Sequence, residues 1–421
     1  MTTARRSIRP IRGTTARWCS CRWKRWNGCR ACTCWRWGLD AGAPPHSTVP
    51  GHEEEQGMEP VRIGIIGVGD MGGYHTLGFA EIEQARIVAV ADVNERRMEE
   101  LLAEIPDYPT PIVRYTDYRQ LLQRDDIEAV VVAVPQYLHR EVTLAALEAG
   151  KDVLLEKPIA PTVQEADEII AAHRGTDRIL QIGLVYRYAG LFRKMAELCR
   201  GGDYGQTTFM WCKEFRENFP PRAWFYDQRL SGGAIMDKCV HYFDLFNWMI
   251  GARAHRVFAM GGQHVIRYGV PHWVECTYSF WEPAEISTST IVDHAWVIVE
   301  YENGARAMQG LCMYLKPPYP GLEVGAITHQ GYQILARDDQ TLTLWGGPQA
   351  VHGQEIEYEE PEAPWVGHIG AHRSRLEFLE CVRTRRPPAC DPQIGRDAMA
   401  IAQAAEMSIA EDRVVYLEEL A

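Results

Sequence analysis

The rhythm of apolar and polar positions changes twice along this chain. From residue 61 it runs in short apolar bursts: Val61-Arg62-Ile63-Gly64-Ile65-Ile66, Arg86 to Ala91, Ala129 to Val134, Asp152 to Leu155 and Leu180 to Gly183. Bursts of this length with little alternation fit strands buried on both faces, as in a parallel sheet. Glu141 to Ala149 reads as an intervening helix, and another opens at Thr162 with Glu165 three residues on, a capping box. This alternation predicts a right-handed, doubly wound sheet. Beyond Tyr186-Arg187-Tyr188 the pattern becomes strand-rich: Thr207 to Lys213, Trp273 to Phe280, Ile286 to Val292, and Val297 to Ala307 around an Asn303-Gly304 turn. An antiparallel sheet covered on one side is expected there. One helix interrupts it. After Gly232-Gly233, an apolar stripe of Met236, Cys239, Val240, Phe243 and Ile250 has helical spacing, and Asp237, His241, Asp244 and Trp248 share the adjacent face.

Residues 1–57 have neither rhythm. They hold 10 Lys+Arg against 4 Asp+Glu, together with Cys19, Cys21, Cys29, Cys32, Cys34 and five tryptophans. Arg5-Arg6 has no apolar segment behind it to make an export signal, and an Arg-rich transit peptide would be rich in Ser rather than Trp and Cys. Cys29-x-x-Cys32 lacks the second, separated pair of a zinc site. Such a composition is what an out-of-frame reading of GC-rich DNA produces, which would make Met58 the natural start. In either case residues 1–57 are expected to be disordered.

The remaining residues carry 34 Lys+Arg against 52 Asp+Glu, an acidic body that repels phosphate backbones and so excludes nucleic acid as a partner. No uncharged apolar run approaches the roughly 20 residues of a membrane-spanning helix. With 46% hydrophobic and 24% charged residues in 421, the chain reads as a soluble globular protein of two or three domains. Lacking an export signal and a framework of paired cysteines, it is expected in the cytoplasm.

Chemistry enters at the strand ends. Gly67-Val68-Gly69-Asp70-Met71-Gly72 follows the first strand: Gly67 permits the tight turn, Gly69 lets backbone amides approach a pyrophosphate, and Gly72 lets the next helix pack closely. Asp92 ends the second strand, where an acid meets the adenosine ribose hydroxyls. That carboxylate would repel a 2′-phosphate, which favours NAD, while Arg96 and Arg97 keep NADP open. Glu156-Lys157-Pro158 ends the strand Asp152 to Leu155, at the carboxyl edge where such sheets hold ligands. Lys157 is a candidate to hold a reacting oxygen, the alternative being a solvated strand-end charge. His241 is a candidate proton acceptor with Asp237 to orient it, the alternative being a helix edge that faces water or satisfies core hydrogen bonds. His368 and His372 have no third ligand at a recognisable spacing and read as helix-start or pocket-edge residues, so no metal is expected.

The fingerprint at Gly67 to Gly72, the Glu156-Lys157-Pro158 triplet, and Gly232-Gly233 followed by Asp237-x-x-x-His241-x-x-Asp244-Leu245 together resemble the Gfo/Idh/MocA family of NAD(P)-dependent oxidoreductases. Val134-Pro135-Gln136-Tyr137-Leu138-His139, Ala149-Gly150-Lys151 and the run Phe378 to Pro388 match as well, so the likeness spans about Met58 to the C-terminus. The resemblance implies an α/β protein: a Rossmann domain (58–183), then an α/β domain (184–421) with a large, mainly antiparallel sheet. The open face of that sheet would form a homodimer or homotetramer. It implies NAD contacts at Gly67, Gly69, Asp70, Met71, Gly72, Asp92, Arg96, Val134, Pro135, His139, Glu156 and Lys157. It also implies catalysis by Lys157, Asp237 and His241, and substrate contacts at Arg187, Tyr188, Asp237 and His241. Lys238-Cys239-Val240 departs from the family pattern and suggests a subgroup with its own pocket.

The expected reaction is hydride transfer between nicotinamide and a secondary hydroxyl of a sugar, cyclitol or glycoside, with His241, oriented by Asp237, taking the proton. Two alternatives stay open: a redox-neutral enzyme with trapped NAD, and a non-catalytic NAD-dependent sensor.

Overall fold

The computed structural model describes residues 59–276, 282–316, 321–337, 340–346, 353–359 and 368–420. The expectations for residues 1–58, and for 277–280 of the Trp273 to Phe280 strand, lie outside them. Six parallel strands form, β1 (Val61–Ile66), β2 (Ala85–Ala91), β3 (Val113–Tyr115), β4 (Ala129–Val132), β5 (Asp152–Leu155) and β6 (Leu180–Ile182), in the order β3-β2-β1-β4-β5-β6; the five apolar bursts supply all but the short β3, which has no buried residue and so no apolar signal. Helices α1 (Asp70–Ala80), α2 (Glu95–Leu102), α3 (Tyr118–Leu122), α4 (His139–Glu148) and α5 (Val163–Arg174) connect them. Every residue of β4 and β5 is buried, which is why neither strand alternates. The strand order reverses between β1 and β4, and crevices at such reversals hold ligands. At α5 the Thr162 hydroxyl accepts from the Glu165 N–H, the forward half of the expected capping box.

Helix α6 (Gly190–Arg200) leads to the second sheet. Its strands are β7 (Thr207–Phe215), β8 (Ala254–Gly262), β11 (His294–Tyr301), β12 (Arg306–Cys312), β13 (Glu323–Thr328), β14 (Gln333–Arg337), β15 (Leu342–Trp345), β16 (Gln354–Glu355) and β17 (Val415–Tyr416). The pairing is antiparallel except between β7 and β12. A separate pair, β9 (His272–Val274) and β10 (Ala284–Ile286), lies between β8 and β11 in sequence. Along β7 the residues Met210, Cys212 and Glu214 are buried, whereas Trp211, Lys213 and Phe215 are only half-buried. The sheet therefore has one covered face, as expected.

The strand expected over Ile286 to Val292 does not form beyond Ile286. The backbone there finds other partners: the Thr290 N–H donates to the Tyr226 carbonyl, and the Gln263 amide donates to the carbonyls of Ser289 and Ile291. The β-branched Ile286, Thr288, Thr290, Ile291 and Val292 favour a strand, but here side-chain and loop bonds replace the ladder. The expected Val297 to Ala307 hairpin does form, starting at His294 and ending at Cys312.

The covered face of the second sheet carries helix α8 (Val240–Ile250), preceded by the short α7 (Gln228–Ser231), and the long α10 (Pro392–Glu411). Asp391 caps α10 by accepting from the Ile394 N–H, with Pro392 in the first turn. Helix α9 (Ala371–Thr384) returns to the first sheet, placing Phe378, Leu379, Cys381 and Val382 in one core with Val61, Ile63 and Ile65 of β1. Its buried Arg375 donates to the Tyr74 carbonyl across Gly78, where a Cβ would stand 2.2 Å from the guanidinium carbon. Arg385 forms a two-bond ion pair with buried Asp152 of β5, 2.7–2.8 Å.

Candidate active site

The loop after β1 is shaped for close backbone approach. Gly67 has φ +85°, and a Cβ on Gly72 would lie 1.8 Å from the Gly67 carbonyl oxygen. At Gly69, the N-cap of α1, the nearest atom to such a Cβ is an Arg222 nitrogen at 3.4 Å. The amides opening α1 therefore stand at a glycine-walled cradle that suits a pyrophosphate. The Asp92 carboxylate accepts from the Val68 N–H at 2.8 Å and from the Asn94 N–H at 2.8 Å, which ties the end of β2 to this loop. Arg97, not Arg96, adjoins the loop: its Nε donates to the Val68 carbonyl, while Arg96 pairs with Glu100 and is 86% exposed. Arg222, which sequence reasoning did not single out, reaches Asp70 of α1 at 2.6 Å.

Val134 and Pro135 flank the same edge, half-buried. His139 is buried, with one ring nitrogen 2.8 Å from the Pro158 carbonyl and the other 3.0 Å from the Val134 carbonyl. Its ring joins the two segments that border the edge. Glu156 is also buried; it accepts from His75 Nε2 at 2.8 Å and from the Lys157 N–H at 3.2 Å. Burial pushes the Glu156 carboxyl upward, but the His75 hydrogen bond and the nearby charges outweigh it and hold the pKa below its ordinary value.

Lys157 projects from the end of β5 to the start of the substrate helix, where Nζ donates to the Asp237 carbonyl at 2.8 Å and lies 3.4 Å from its carboxylate. Residues Ile235–Cys239 form a π-helical turn ahead of α8, a rare form that concentrates at functional sites. The Asp237 carboxylate also accepts from the Gln136 amide, a residue 101 positions away. Among the described residues no hydrogen bond joins Asp237 to His241. The expectation that Asp237 orients His241 is thus replaced: Asp237 holds Lys157, and His241 is held by stacking on Tyr186, ring centroids 4.6 Å apart. Burial, then the charges of Lys157, His368 and Lys238, push the His241 pKa well below its ordinary value. Its Nδ1 is buried without a partner. A neutral, buried imidazole can accept a proton.

Of the triplet after β6, Tyr186 meets the site, although Arg187 and Tyr188 were the residues singled out. Arg187 makes a bidentate pair with buried Asp244, 2.7–2.8 Å, and lies over Trp248. Tyr188 is buried. His368 borders the site, 6.3 Å from the His241 ring and 6.4 Å from Tyr186, whereas His372 lies in the first turn of α9. Among the described residues, no group of three or more His, Cys, Asp or Glu is arranged to hold a metal ion, and no helix is long and apolar enough to cross a membrane.

Comparison with known proteins identifies a family over both halves of the described chain. The family described as "Oxidoreductase family, NAD-binding Rossmann fold" matches residues 61–184, and the "GFO/IDH/MocA C-terminal domain" matches residues 192–335. The myo-inositol 2-dehydrogenase of Thermotoga maritima is 25% identical over 86% of this chain and 99% of its own. The 2,7-anhydro-N-acetylneuraminate hydratase of Mediterraneibacter gnavus is 31% identical over 49% of this chain and 53% of its own. A crystal structure of a probable dehydrogenase from Thermotoga maritima superposes with a TM-score of 0.68 at 25% identity, covering 86% of this chain and all of that one.

Proposed function

The chain belongs to the Gfo/Idh/MocA family of oxidoreductases, and from that membership we propose that it oxidises a secondary hydroxyl of a cyclitol, sugar or glycoside with NAD. The observation that carries the reading is the junction of Lys157, at the carboxyl edge of the parallel sheet, with Asp237 in the π-helical turn that runs into α8, the helix that bears His241. In this reading residues 58–183 hold the cofactor and 184–421 the substrate. Gly67, Gly69, Gly72 and the first amides of α1 hold the pyrophosphate, and Asp92 meets the adenosine ribose, which favours NAD over NADP. When bound, NAD supplies the hydride acceptor. Lys157, steadied by Asp237, holds the substrate oxygen and stabilises the charge that grows on it as the C–H hydride departs. Neutral His241 takes the hydroxyl proton in the same step, and no metal is required.

The experiment is NADH appearance from NAD with a panel of cyclitols, aldoses and glycosides, with Lys157→Ala alongside. Lys157→Ala is expected to lower kcat by about 100-fold or more while still binding NAD; full turnover in that variant would remove Lys157 from the chemistry. A second reading, a redox-neutral reaction with retained NAD, draws support from the similarity to the hydratase. Stoichiometric nucleotide on the purified protein, with no NADH released, would select it.

The open face of the large sheet supports a homodimer or homotetramer. Trp296 and Ile298 of β11 and Met260 of β8 are exposed there, with Trp296 paired opposite Met260. Seven cysteines of the described residues are free thiols, a state the reducing cytoplasm maintains, which supports that location.

A further inference from the structure

Gln136 has no part in the hydride chemistry above, yet it is buried where that chemistry is assembled. It opens a short helical turn, Gln136–Leu138, just beyond β4, and is 3% exposed. Its amide nitrogen donates to Oδ1 of Asp237, the same oxygen that lies 3.4 Å from Lys157 Nζ. Two donors, from the segments that follow the adjacent strands β4 and β5, thus converge on one carboxylate oxygen. They do not share it equally. An ammonium and a carboxylate left to themselves close to roughly 2.7–2.9 Å. Lys157 stands back from that distance and makes its 2.8 Å bond to the Asp237 carbonyl instead.

The other end of the Gln136 side chain is left unsatisfied: Oε1 is buried and accepts no hydrogen bond among the described residues. A buried amide that only braced its turn would have both ends paired. His139, three residues on, fixes where the amide stands, because its ring bridges the Val134 carbonyl and the Pro158 carbonyl beside Lys157. We propose that Gln136 is a positioning residue: by occupying Oδ1 of Asp237 it keeps that carboxylate from closing on Lys157, and so leaves the ammonium able to meet the reacting oxygen. A lysine locked into a close pair with its own acid has fewer N–H groups for a substrate. This rests on the dehydrogenase reading for what Lys157 does, but not for the contact itself.

The test is acetylation of Lys157 in the full chain by acetic anhydride, followed by mass spectrometry as a function of pH, with NADH formation from the polyol panel assayed separately. Wild type is compared with Gln136→Met, which keeps the length of the side chain without a donor. Gln136→Asn, one methylene shorter, withdraws the donor but keeps the amide should the methionine variant fail to fold. Acetylation consumes the uncharged amine, so a carboxylate that closes on Lys157 slows it. In both variants the rate at Lys157 is expected to fall about 5-fold or more near pH 8, with its pH profile displaced to the alkaline side, and in an Asp237→Asn background Gln136→Met is expected to change nothing. A brace alone predicts the opposite, a loosened Lys157 that reacts faster. A rate unchanged or raised, or no acetylation of Lys157 in wild type, would overturn the assignment and leave the dehydrogenase reading to the NADH assay. The expected fall with no polyol oxidised would keep the assignment and count against the dehydrogenase reading.

Discussion

His75, His139 and His241 are buried, and burial lowers the pKa of each below the ordinary 6.5. Between each lowered value and 6.5 the unfolded chain binds a proton that the folded chain refuses. Stability is therefore full above about pH 6.5 and falls as the pH drops below it, by at most about 1.4 kcal/mol per pH unit for each histidine. Thermal unfolding from pH 8 to pH 5 checks this, and His241→Asn is expected to flatten the slope. Glu406 titrates in the opposite sense. Burial raises its carboxyl to about 8 against a weaker lowering by a backbone hydrogen bond from Ile235, and its Oε2 accepts from the Gln228 amide. The folded state favours the protonated acid, so stability is lost as the pH rises from about 4.5 through 8. Glu406→Gln is expected to unfold at a higher temperature than wild type at pH 8 and to match it near pH 4.5.

At the scale of elements, the turn from β1 into α1 is the least tolerant segment. Gly72→Ala would drive a Cβ to 1.8 Å from the Gly67 carbonyl, both backbone-bound groups with little room to yield. Loss of NAD binding is expected, with destabilisation of about 1–3 kcal/mol, measured by nucleotide titration and thermal melting. That turn was legible in the sequence because its glycines answer to local geometry. The same holds for Lys157, placed by the strand before it and the cap after it. Helical period puts Asp237 near His241 but does not reveal the π-helical turn that holds Asp237 or its bonds to Lys157 and Gln136. The rest depended on partners remote in sequence. Gln136 meets Asp237 across 101 positions, and Arg222 meets Asp70 across 152. No local pattern distinguishes Tyr186 from Arg187 and Tyr188 beside it. The Ile286 to Val292 segment misled because its isoleucines, threonines and valine are β-branched residues that favour strands, while its backbone partners lie on Tyr226 and Gln263.

For the whole molecule, the open face of the second sheet predicts assembly. Trp296 and Ile298 are 45% and 47% exposed and Met260 is 67% exposed, a row of large apolar side chains of the kind that marks an interface. Sedimentation is expected to show a dimer or tetramer, and Trp296→Glu to shift it toward monomer; a wild-type monomer would exclude this face as the interface.

The return of α9 to the first sheet also sets an order of events during synthesis. β1 is made long before Phe378, Leu379, Cys381 and Val382, which share its core. The bond between Arg375 and Tyr74 spans 301 positions. The nucleotide-binding half thus keeps an apolar flank open during translation until α9 emerges. Emergence of α9, rather than completion of the sixth strand, is the moment at which that half can become a finished fold.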